Sequence, residues 1–349
     1  MFLMDMEKNE IEALLLELAQ PAYRAGQVYS WLNRGVEPKH MTNLPLSLRT
    51  ELEKHPFGGC RIYDKFVSKA DGTVKYLFEL HDGNLVEGVL MHYRYGNTLC
   101  ISTQVGCRMG CAFCASTLEG CIRNLSSGEM LSFIAAVERD NPSPAPGERF
   151  ITNIVLMGSG EPLDNYENVM AFLRRCVSPD ALKISPRNIS LSTCGLVPKI
   201  YSLADEALHV TLSVSLHAAT DEKRSELMPV NRAYPLEQLI KAAKYYADKT
   251  KRRVVFEYAL IEGKNSSIED AKQLAALLRG LLCHVNLIPL NPVKERNLLG
   301  ISKKNAEVFA KWLNDLHISA TVRREMGADI DGACGQLRRR VLNELRNEN

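Results

Sequence analysis

Short apolar segments alternate with longer amphipathic segments from about Thr98 to the C-terminal region of the chain. The apolar segments predict β-strands at residues 99–103, 151–157, 188–192, 211–215, 254–260, 284–288 and 320–323. The amphipathic segments predict helices at residues 127–139, 166–176, 236–249, 268–278 and 303–316. This alternation predicts an α/β fold with a parallel sheet, curled into a full or partial barrel. In such folds the C-terminal ends of the strands carry the chemistry.

The pattern before Thr98 is different. Residues 1–57 predict a small helical domain, with apolar positions repeating at helical spacing and a helix following Pro45. Residues 58–92 predict a β-hairpin extension, because Asp71-Gly72 and Asp82-Gly83 are turn dipeptides on either side of an alternating segment. The barrel core is then expected over residues 93–337, followed by a basic tail over residues 338–349.

Composition narrows the class of protein. The chain has 349 residues, 46% of them hydrophobic, and a formal net charge of +2, which is typical of a folded globular protein and neither demands nor excludes RNA. The N-terminus lacks a basic start followed by an apolar run, and no segment approaches the ~20 apolar residues of a membrane helix. We therefore expect a cytoplasmic protein without a membrane partner.

Five of the ten cysteines fall between Cys100 and Cys121, and three of these form a CxxxCxxC motif, Cys107, Cys111 and Cys114. In a reducing compartment clustered cysteines indicate metal binding or catalysis. Three thiolates on one loop can bind three irons of a 4Fe–4S cluster and leave the fourth iron open, whereas electron-transfer clusters use four cysteines. A structural zinc site is the alternative, but zinc favours paired CxxC motifs and four closed ligands.

Polar residues stand at the ends of several predicted strands. A glycine-rich segment containing Gly160 and Glu161 follows residues 151–157, and glycine there allows the backbone to approach a ligand closely. Further candidates end or follow later strands, namely Ser192, Ser215, Leu216, His217 and Asn291. Each could be a simple loop cap, but together they would line one mouth of a barrel.

Three other residues are candidates for chemistry. Cys334 is followed by a glycine near the C-terminus, and Cys100 lies in the apolar segment Leu-Cys-Ile-Ser; either could be a buried structural thiol. Glu87 interrupts an apolar segment, where a carboxylate is costly unless it has a partner. The remaining cysteines are interpreted as structural, namely Cys60, Cys121, Cys176, Cys194 and Cys283.

Six segments together resemble the RlmN/Cfr family of radical S-adenosylmethionine (SAM) RNA methyltransferases: TQVGCRMGCAFCAST, MGSGEPLDN, SVSLHA, ELMPVNRAYP, HVNLIPLNP and DIDGACGQLR. The likeness extends from about Leu85 to Leu337 and is greater to the RlmN branch, because Pro162 follows Glu161. Two positions depart from the commonest motifs, Ser159 and Gly332, and neither removes a reactive group. The resemblance implies a partial (βα)6 barrel.

The resemblance also implies cofactors and residue roles. A 4Fe–4S cluster would bind Cys107, Cys111 and Cys114, and SAM would contact Gly160, Glu161, Ser192, Ser215, Leu216, His217 and Asn291. Cys334 would carry a methyl group, and Cys100 would release the product through a transient disulfide with Cys334. Glu87 would accept a proton.

The implied reaction is methylation of C2 of adenosine in 23S rRNA and in tRNA. The implied partners are these RNAs and a flavodoxin- or ferredoxin-like electron donor, and a monomer is expected. Arg323-Arg324 and Arg338–Arg340 could contact phosphates, although charged tails are often simply solvated. Two alternatives stay open: a Cfr-like methyltransferase acting on C8 of adenosine, and a metal-stabilised RNA-binding protein without chemistry.

Overall fold

A ten-stranded sheet forms the centre of the computed structural model, which describes residues 2–143, 148–290 and 296–330. Its strands are β1 (Cys60–Val67), β2 (Val74–Leu80), β3 (Leu85–Tyr93), β4 (Gly96–Ile101), β7 (Ile151–Leu156), β8 (Ile189–Thr193), β9 (Thr211–Ser215), β10 (Val254–Leu260), β11 (Cys283–Pro289) and β12 (Ala320–Val322), hydrogen-bonded in that order. Two short strands, β5 (Gln104–Gly106) and β6 (Cys121–Asn124), pair separately.

The α-helices are α1 (Lys8–Glu17), α2 (Arg24–Leu32), α3 (Leu46–Leu52), α4 (Ser127–Asp140), α5 (Tyr166–Val177), α6 (Val197–Asp205), α7 (Asp221–Leu227), α8 (Leu236–Thr250), α9 (Ile268–Leu278) and α10 (Lys303–Asp315). Several begin where a hydroxyl accepts a hydrogen bond from an N–H group of the first turn, as Ser126, Ser267 and Ser302 do for α4, α9 and α10. In the described part of the chain, every helix is too short or too polar to cross a membrane.

Strand direction changes at β4. Strands β1 to β4 pair antiparallel with one another, whereas β4 pairs parallel with β7, and every later pair up to β12 is parallel. Helices connect the successive parallel strands, as crossover connections require. The α/β fold with a mostly parallel sheet is thus confirmed, and the predicted strands at residues 211–215 and 254–260 have the observed bounds.

Several elements differ from the predicted pattern, among them the unpredicted short strands β5 and β6. The expected hairpin is a three-stranded antiparallel unit that continues into the barrel sheet, because β1 pairs along the outer edge of β2. Strand β1 lacks the alternation of a half-buried strand, since most of its residues are exposed or only partly buried. Helices α6 and α7 were also not predicted; α7 consists almost wholly of charged residues, which leaves little apolar periodicity.

The N-terminal helices share one continuous hydrophobic core with the sheet and its helices. Arg175 of α5 is a buried cation at their junction: its guanidinium donates to Met4 O at 2.6 Å and to Asn33 Oδ1 at 2.8 Å, and it lies over the Tyr29 ring. Burial lowers the pKa of Arg175. These bonds join α2 and the N-terminal segment to the main body of the protein.

The segment after β12 contacts the turn between β1 and β2, strands that lie at the opposite end of the strand order from β12. The Asp329 carboxylate accepts hydrogen bonds from Ser68 Oγ at 2.6 Å and Lys69 N at 2.9 Å, while Asp71 Oδ2 accepts from Gly327 N at 2.9 Å. Burial opposes ionisation of Asp71, but the bonds from Gly327 and Thr73 outweigh it and lower its pKa to about 2. The contact is therefore retained above about pH 4 and weakens as the pH falls toward 2.

We expect Arg175→Met to lower the free energy of unfolding by about 3 kcal/mol, because two buried acceptors lose their donor. Chemical denaturation measures this loss. Arg174→Met is the matched control, since Arg174 is mostly exposed and its ion pair with Glu206 is worth at most about 1 kcal/mol. Equal denaturation midpoints for the two variants would show that Arg175 does not join the two regions.

We expect Asp71→Ala to speed hydrogen exchange of the Gly327 amide roughly fivefold at pH 7, because its acceptor is lost and the segment opens locally more often. Exchange is followed by mass spectrometry of peptides covering residues 326–330. Asp64→Ala is the control, since the Asp64 carboxylate bonds the N–H of its neighbour Lys65. Unchanged exchange in Asp71→Ala would mean that other contacts hold the segment.

Candidate active site

One cavity of about 360 Å³ lies against the curved sheet and brings together most of the residues singled out in the sequence. Its lining includes Cys100, Cys107, Cys111, Cys114, Gly160, Glu161, Ser192, Ser215 and His217. These residues come from β4, from the loop between β5 and β6, and from the ends of successive parallel strands, so the sheet must curve for them to meet. Asn291 and Cys334 lie outside the described residues.

The cysteine triplet occupies a loop between β5 and β6 that the backbone holds firmly. Cys107 N donates to Gly120 O at 2.8 Å, and Ala112 N donates to Leu227 O at 2.8 Å, which ties the loop to the end of α7. Gly106 has φ +80°, and a Cβ there would lie 2.0 Å from Gly120 O, so only glycine fits. The loop thus presents three sulfur-bearing side chains to the cavity from a rigid backbone.

The environment of these thiols fits an iron–sulfur cluster. Burial raises the pKa of Cys107 to about 12 and also raises the pKa of Cys111, and the neighbouring cysteines add to both shifts. Three adjacent thiolates are therefore unfavourable unless cationic iron compensates their charge. Cys111 also packs with apolar neighbours, including Phe113 and Met228, which shield this side of the site from water.

The glycine-rich segment packs tightly against the strand that leads to the triplet. Gly160 has φ +108°, and a Cβ there would lie 2.7 Å from Gln104 N. Glu161 is buried; its carboxylate accepts hydrogen bonds from Cys194 N at 2.7 Å and Leu163 N at 3.0 Å. Burial raises its pKa despite these bonds. The side chains of Thr193 and Cys194 are further hydrogen-bond partners of this carboxylate, which borders the cavity.

His217 is a neutral side chain in the cavity wall. Its Nδ1 accepts a hydrogen bond from Ala259 N at 2.9 Å, which puts the ring proton on Nε2. Burial, followed by the nearby Arg224, lowers the pKa of His217 to about 3. Its ring meets Phe113 edge-on, with centroids 4.6 Å apart. Leu216 differs from its neighbours, because its side chain lies in the main hydrophobic core and its N–H donates to Glu257 O.

Cys100 faces the cavity from near the C-terminal end of β4. It lies opposite Val89 of β3 in the register and packs in a small apolar cluster that includes Met91 and Met326. Glu87 is buried on the same face of β3, two residues from Val89, and Lys75 Nζ lies 3.2 Å from its Oε2. The carboxylate that is anomalous in the sequence therefore has a cationic partner from the neighbouring strand.

Among the lining residues that were not sequence candidates, Cys194 and Glu257 carry side chains capable of chemistry. Cys194, interpreted as structural, borders the cavity beside Glu161, and its position two residues after Ser192 was the available signal. Glu257 in the middle of β10 lines the cavity and accepts from Asn286 Nδ2 at 2.9 Å. Burial raises the pKa of Glu257, and Arg323 opposes this rise. A carboxylate within an apolar strand, like Glu87, could have been noticed on the same grounds.

The cavity rim carries positive charge. Arg323 and Arg324 belong to the lining, next to Glu325 and Met326. In residues 2–143, 148–290 and 296–330, no two cysteines are joined by a disulfide. One cavity thus combines the loop of the cysteine triplet, the buried thiol of Cys100, the buried carboxylates of Glu161 and Glu257, and two arginines.

Comparison with family models gives two matches. Residues 101–276 match the Radical SAM superfamily, and residues 1–56 match the ribosomal RNA large subunit methyltransferase N-terminal domain. Radical SAM enzymes hold a 4Fe–4S cluster on three cysteines and bind SAM at its open iron. These two are the cofactors of this chain, and the enzyme is a methyltransferase of that superfamily.

Full-length relatives and a solved structure agree with these matches. The chain is 50% identical over 348 residues to a "Probable dual-specificity RNA methyltransferase RlmN" of Thermoanaerobacter sp. (strain X514), covering 98% of this chain and 99% of that protein. It is 51% identical over 342 residues to a protein of the same name from Clostridium botulinum (strain Alaska E43 / Type E3), covering 97% of each. The crystal structure of a radical SAM methyltransferase from Sphaerobacter thermophilus superposes with a TM-score of 0.90 at 43% identity, covering 96% of this chain and 98% of that one. This chain belongs to the RlmN family of radical SAM methyltransferases.

Proposed function

We propose that this enzyme methylates C2 of adenosine in 23S rRNA and in tRNA. The observation that carries the proposal is that Cys100 lines the same cavity as the cysteine triplet. Its thiol lies outside the cluster-binding motif and faces the cavity. The near full-length identity to proteins named dual-specificity RNA methyltransferase RlmN supports both RNA substrates.

In this proposal the cavity residues divide into two binding groups. Cys107, Cys111 and Cys114 hold the cluster. SAM lies against the remaining candidates, Gly160, Glu161, Ser192, Ser215, Leu216, His217 and Asn291. Glu161 accepts from the SAM ammonium, His217 offers a neutral Nε2–H, and Leu216 contributes only its backbone. When bound, the cluster and SAM supply a 5′-deoxyadenosyl radical.

The protein's own side chains carry the methyl group. The Cys334 thiolate takes a methyl group from one SAM by displacement, because a thiolate is a strong nucleophile. After a hydrogen atom is removed from that methyl group, its carbon adds to C2 of the adenine, which is not nucleophilic enough for direct methylation. Glu87 accepts the proton from C2, and the unpaired electron left on the adduct would pass to the oxidised cluster, so that the crosslinked base has no unpaired electron. The Cys100 thiolate then attacks the sulfur of Cys334 and forms a transient disulfide, the C–S bond breaks, and the released carbon takes up a proton to become the methyl group.

The proposal also assigns regions to the RNA and to the electron supply. Residues 1–57 form an accessory domain that contacts RNA, residues 58–92 an extension, residues 93–337 the catalytic core, and residues 338–349 a basic tail. Arg323 and Arg324 are placed to meet phosphates at the cavity mouth, and the adenine must leave its stack to reach the thiols. A flavodoxin- or ferredoxin-like protein reduces the cluster, and the enzyme acts as a monomer in the cytoplasm.

The main alternative is methylation at C8, which uses the same cluster motif and the same two cysteines. Pro162 after Glu161 favours C2, as does the name of the relatives. The departure at Ser159 does not weaken the assignment, because this residue bonds through its backbone: Ser159 O accepts from Thr103 N, and Ser159 N donates to Ser102 Oγ.

We expect 2-methyladenosine in both RNAs after anaerobic incubation of the reconstituted enzyme with SAM, a reductant and unmodified rRNA or tRNA. Digestion and mass spectrometry against nucleoside standards identify the product. The formation of 8-methyladenosine would replace the C2 assignment, and SAM cleavage without any methylated nucleoside would contradict the proposed substrate.

We expect Cys100→Ala to accumulate as a covalent adduct with RNA, because the thiol that breaks the crosslink is missing, and Cys334→Ala to cleave SAM without methylating RNA. Denaturing gels and nucleoside analysis distinguish the two. Cys283→Ala is the control, since Cys283 lies at the start of β11, away from the lining. A Cys100→Ala enzyme that turned over normally without bound RNA would rule out the two-cysteine mechanism.

A further inference from the structure

A buried lysine stands directly beside the carboxylate proposed to accept the proton. Lys75 of β2 is 0% exposed, and its Nζ lies 3.2 Å from Oε2 of Glu87, which is also buried. In the sheet register Lys75 pairs with Val89, and Val89 pairs in turn with Cys100. Because directly opposed residues project to the same face, the ammonium, the carboxylate and the Cys100 thiol occupy one face of three adjacent strands.

Burying this ion pair in the sheet costs free energy. The side chains around it on that face are apolar, including Leu77 and Leu85, and removing an ammonium and a carboxylate from water costs several kcal/mol per ion before their attraction is counted. Two apolar side chains of similar volume would pack there at lower cost. The cost points to a role for the charges themselves. Neither side chain lines the cavity, but Lys75 pairs with Val89, which lines it beside Cys100.

We propose that Lys75 is a positioning residue that fixes the Glu87 carboxylate for the proton transfer from C2 of the target adenine. The inference rests on the proposed function, in which Glu87 is the acceptor. In this step the C2–H bond breaks, its electron pair stays with the adenine ring, and the proton forms an O–H bond on Glu87. The step transfers no electron between molecules, and the Lys75 charge stays in place throughout.

The structure provides a reason for this arrangement. The Lys75 ammonium lies 3.2 Å from Oε2 of Glu87, and a charge-assisted contact of this kind limits rotation of the carboxylate. Earlier steps, such as methylation of Cys334 and removal of a hydrogen atom from its methyl group, do not use Glu87 and so should not depend on Lys75.

The test compares Lys75→Met, Lys75→Arg, Glu87→Gln and the double variant Lys75→Met/Glu87→Gln as reconstituted holoenzymes in single turnovers. The RNA carries adenosine with either hydrogen or deuterium at C2. We expect Lys75→Met to slow release of methylated RNA about 10²-fold, the lower range for lost general base catalysis, and to accumulate the covalent adduct. Methylation of Cys334 and SAM cleavage stay within about twofold of wild type.

Three further readouts separate positioning from simple structural support. The deuterium isotope effect on product release should grow in Lys75→Met, because proton transfer becomes slower than the other steps. The double variant should be no slower than Glu87→Gln alone, since residues acting as a unit are not additive. Lys75→Arg should recover part of the rate, whereas Lys65→Met, which removes an exposed lysine of β1 paired with Asp140, should leave the rate unchanged.

Opposite results would overturn the proposal. If Lys75→Met slowed Cys334 methylation, SAM cleavage and product release equally, with no larger isotope effect, Lys75 would serve the fold alone. Additive losses in the double variant would do the same. If Lys75→Met fails to fold, the comparison of the double variant with Glu87→Gln still decides, because neither leaves an unpaired carboxylate. Failure of the proposed function looks different, since wild type would then form no 2-methyladenosine or Glu87→Gln would release product at the wild-type rate.

Discussion

The pairing of β4 with its two neighbours is the constraint on which the site depends. On one side β4 runs antiparallel to β3, which places Cys100 opposite Val89; on the other it runs parallel to β7, from Asn97↔Ile151 to Cys100↔Val155. The chain then continues from β4 through the short strand β5 into the loop of the cysteine triplet. A shift of β4 by one residue would turn Cys100 to the opposite face and move it out of the cavity. Strand register therefore determines that the Cys100 thiol lies in the same cavity as the cysteine triplet.

Buried polar side chains around the cavity form hydrogen bonds with backbone groups. These bonds keep the site rigid, although burying the polar groups removes them from water. Arg224 is fully buried, and its guanidinium donates to Leu216 O, Ser215 O and Cys194 O, the carbonyls that follow β8 and β9. Burial lowers the pKa of Arg224 to about 10, which still leaves it charged at neutral pH. One cation therefore fixes two strand ends that line the cavity, and its removal would leave several carbonyls unsatisfied.

The two ends of the sheet meet through a loop contact. The segment after β12 lies against the turn between β1 and β2. Asp71 of the turn accepts a hydrogen bond from Gly327 of the segment, and Asp329 of the segment accepts one from Ser68 of the turn. Met326 of this segment packs in the same apolar cluster as Cys100 of β4. The antiparallel extension therefore does more than lengthen the sheet. It supplies the turn that contacts the segment after β12, and its strands β2 and β3 carry Lys75 and Glu87.

The amino-acid sequence alone determined the α/β class, the positions of most parallel strands and the triplet Cys107, Cys111 and Cys114, because periodicity and motif spacing are local properties. It also marked Glu87, since a carboxylate in an apolar strand is anomalous within a few residues of chain. It could not pair Glu87 with Lys75, bring Cys194 and Glu257 into the cavity or show that β1 belongs to the same sheet. Those facts depend on strand register and sheet curvature, which arise from hydrogen bonds and packing between residues far apart in the chain.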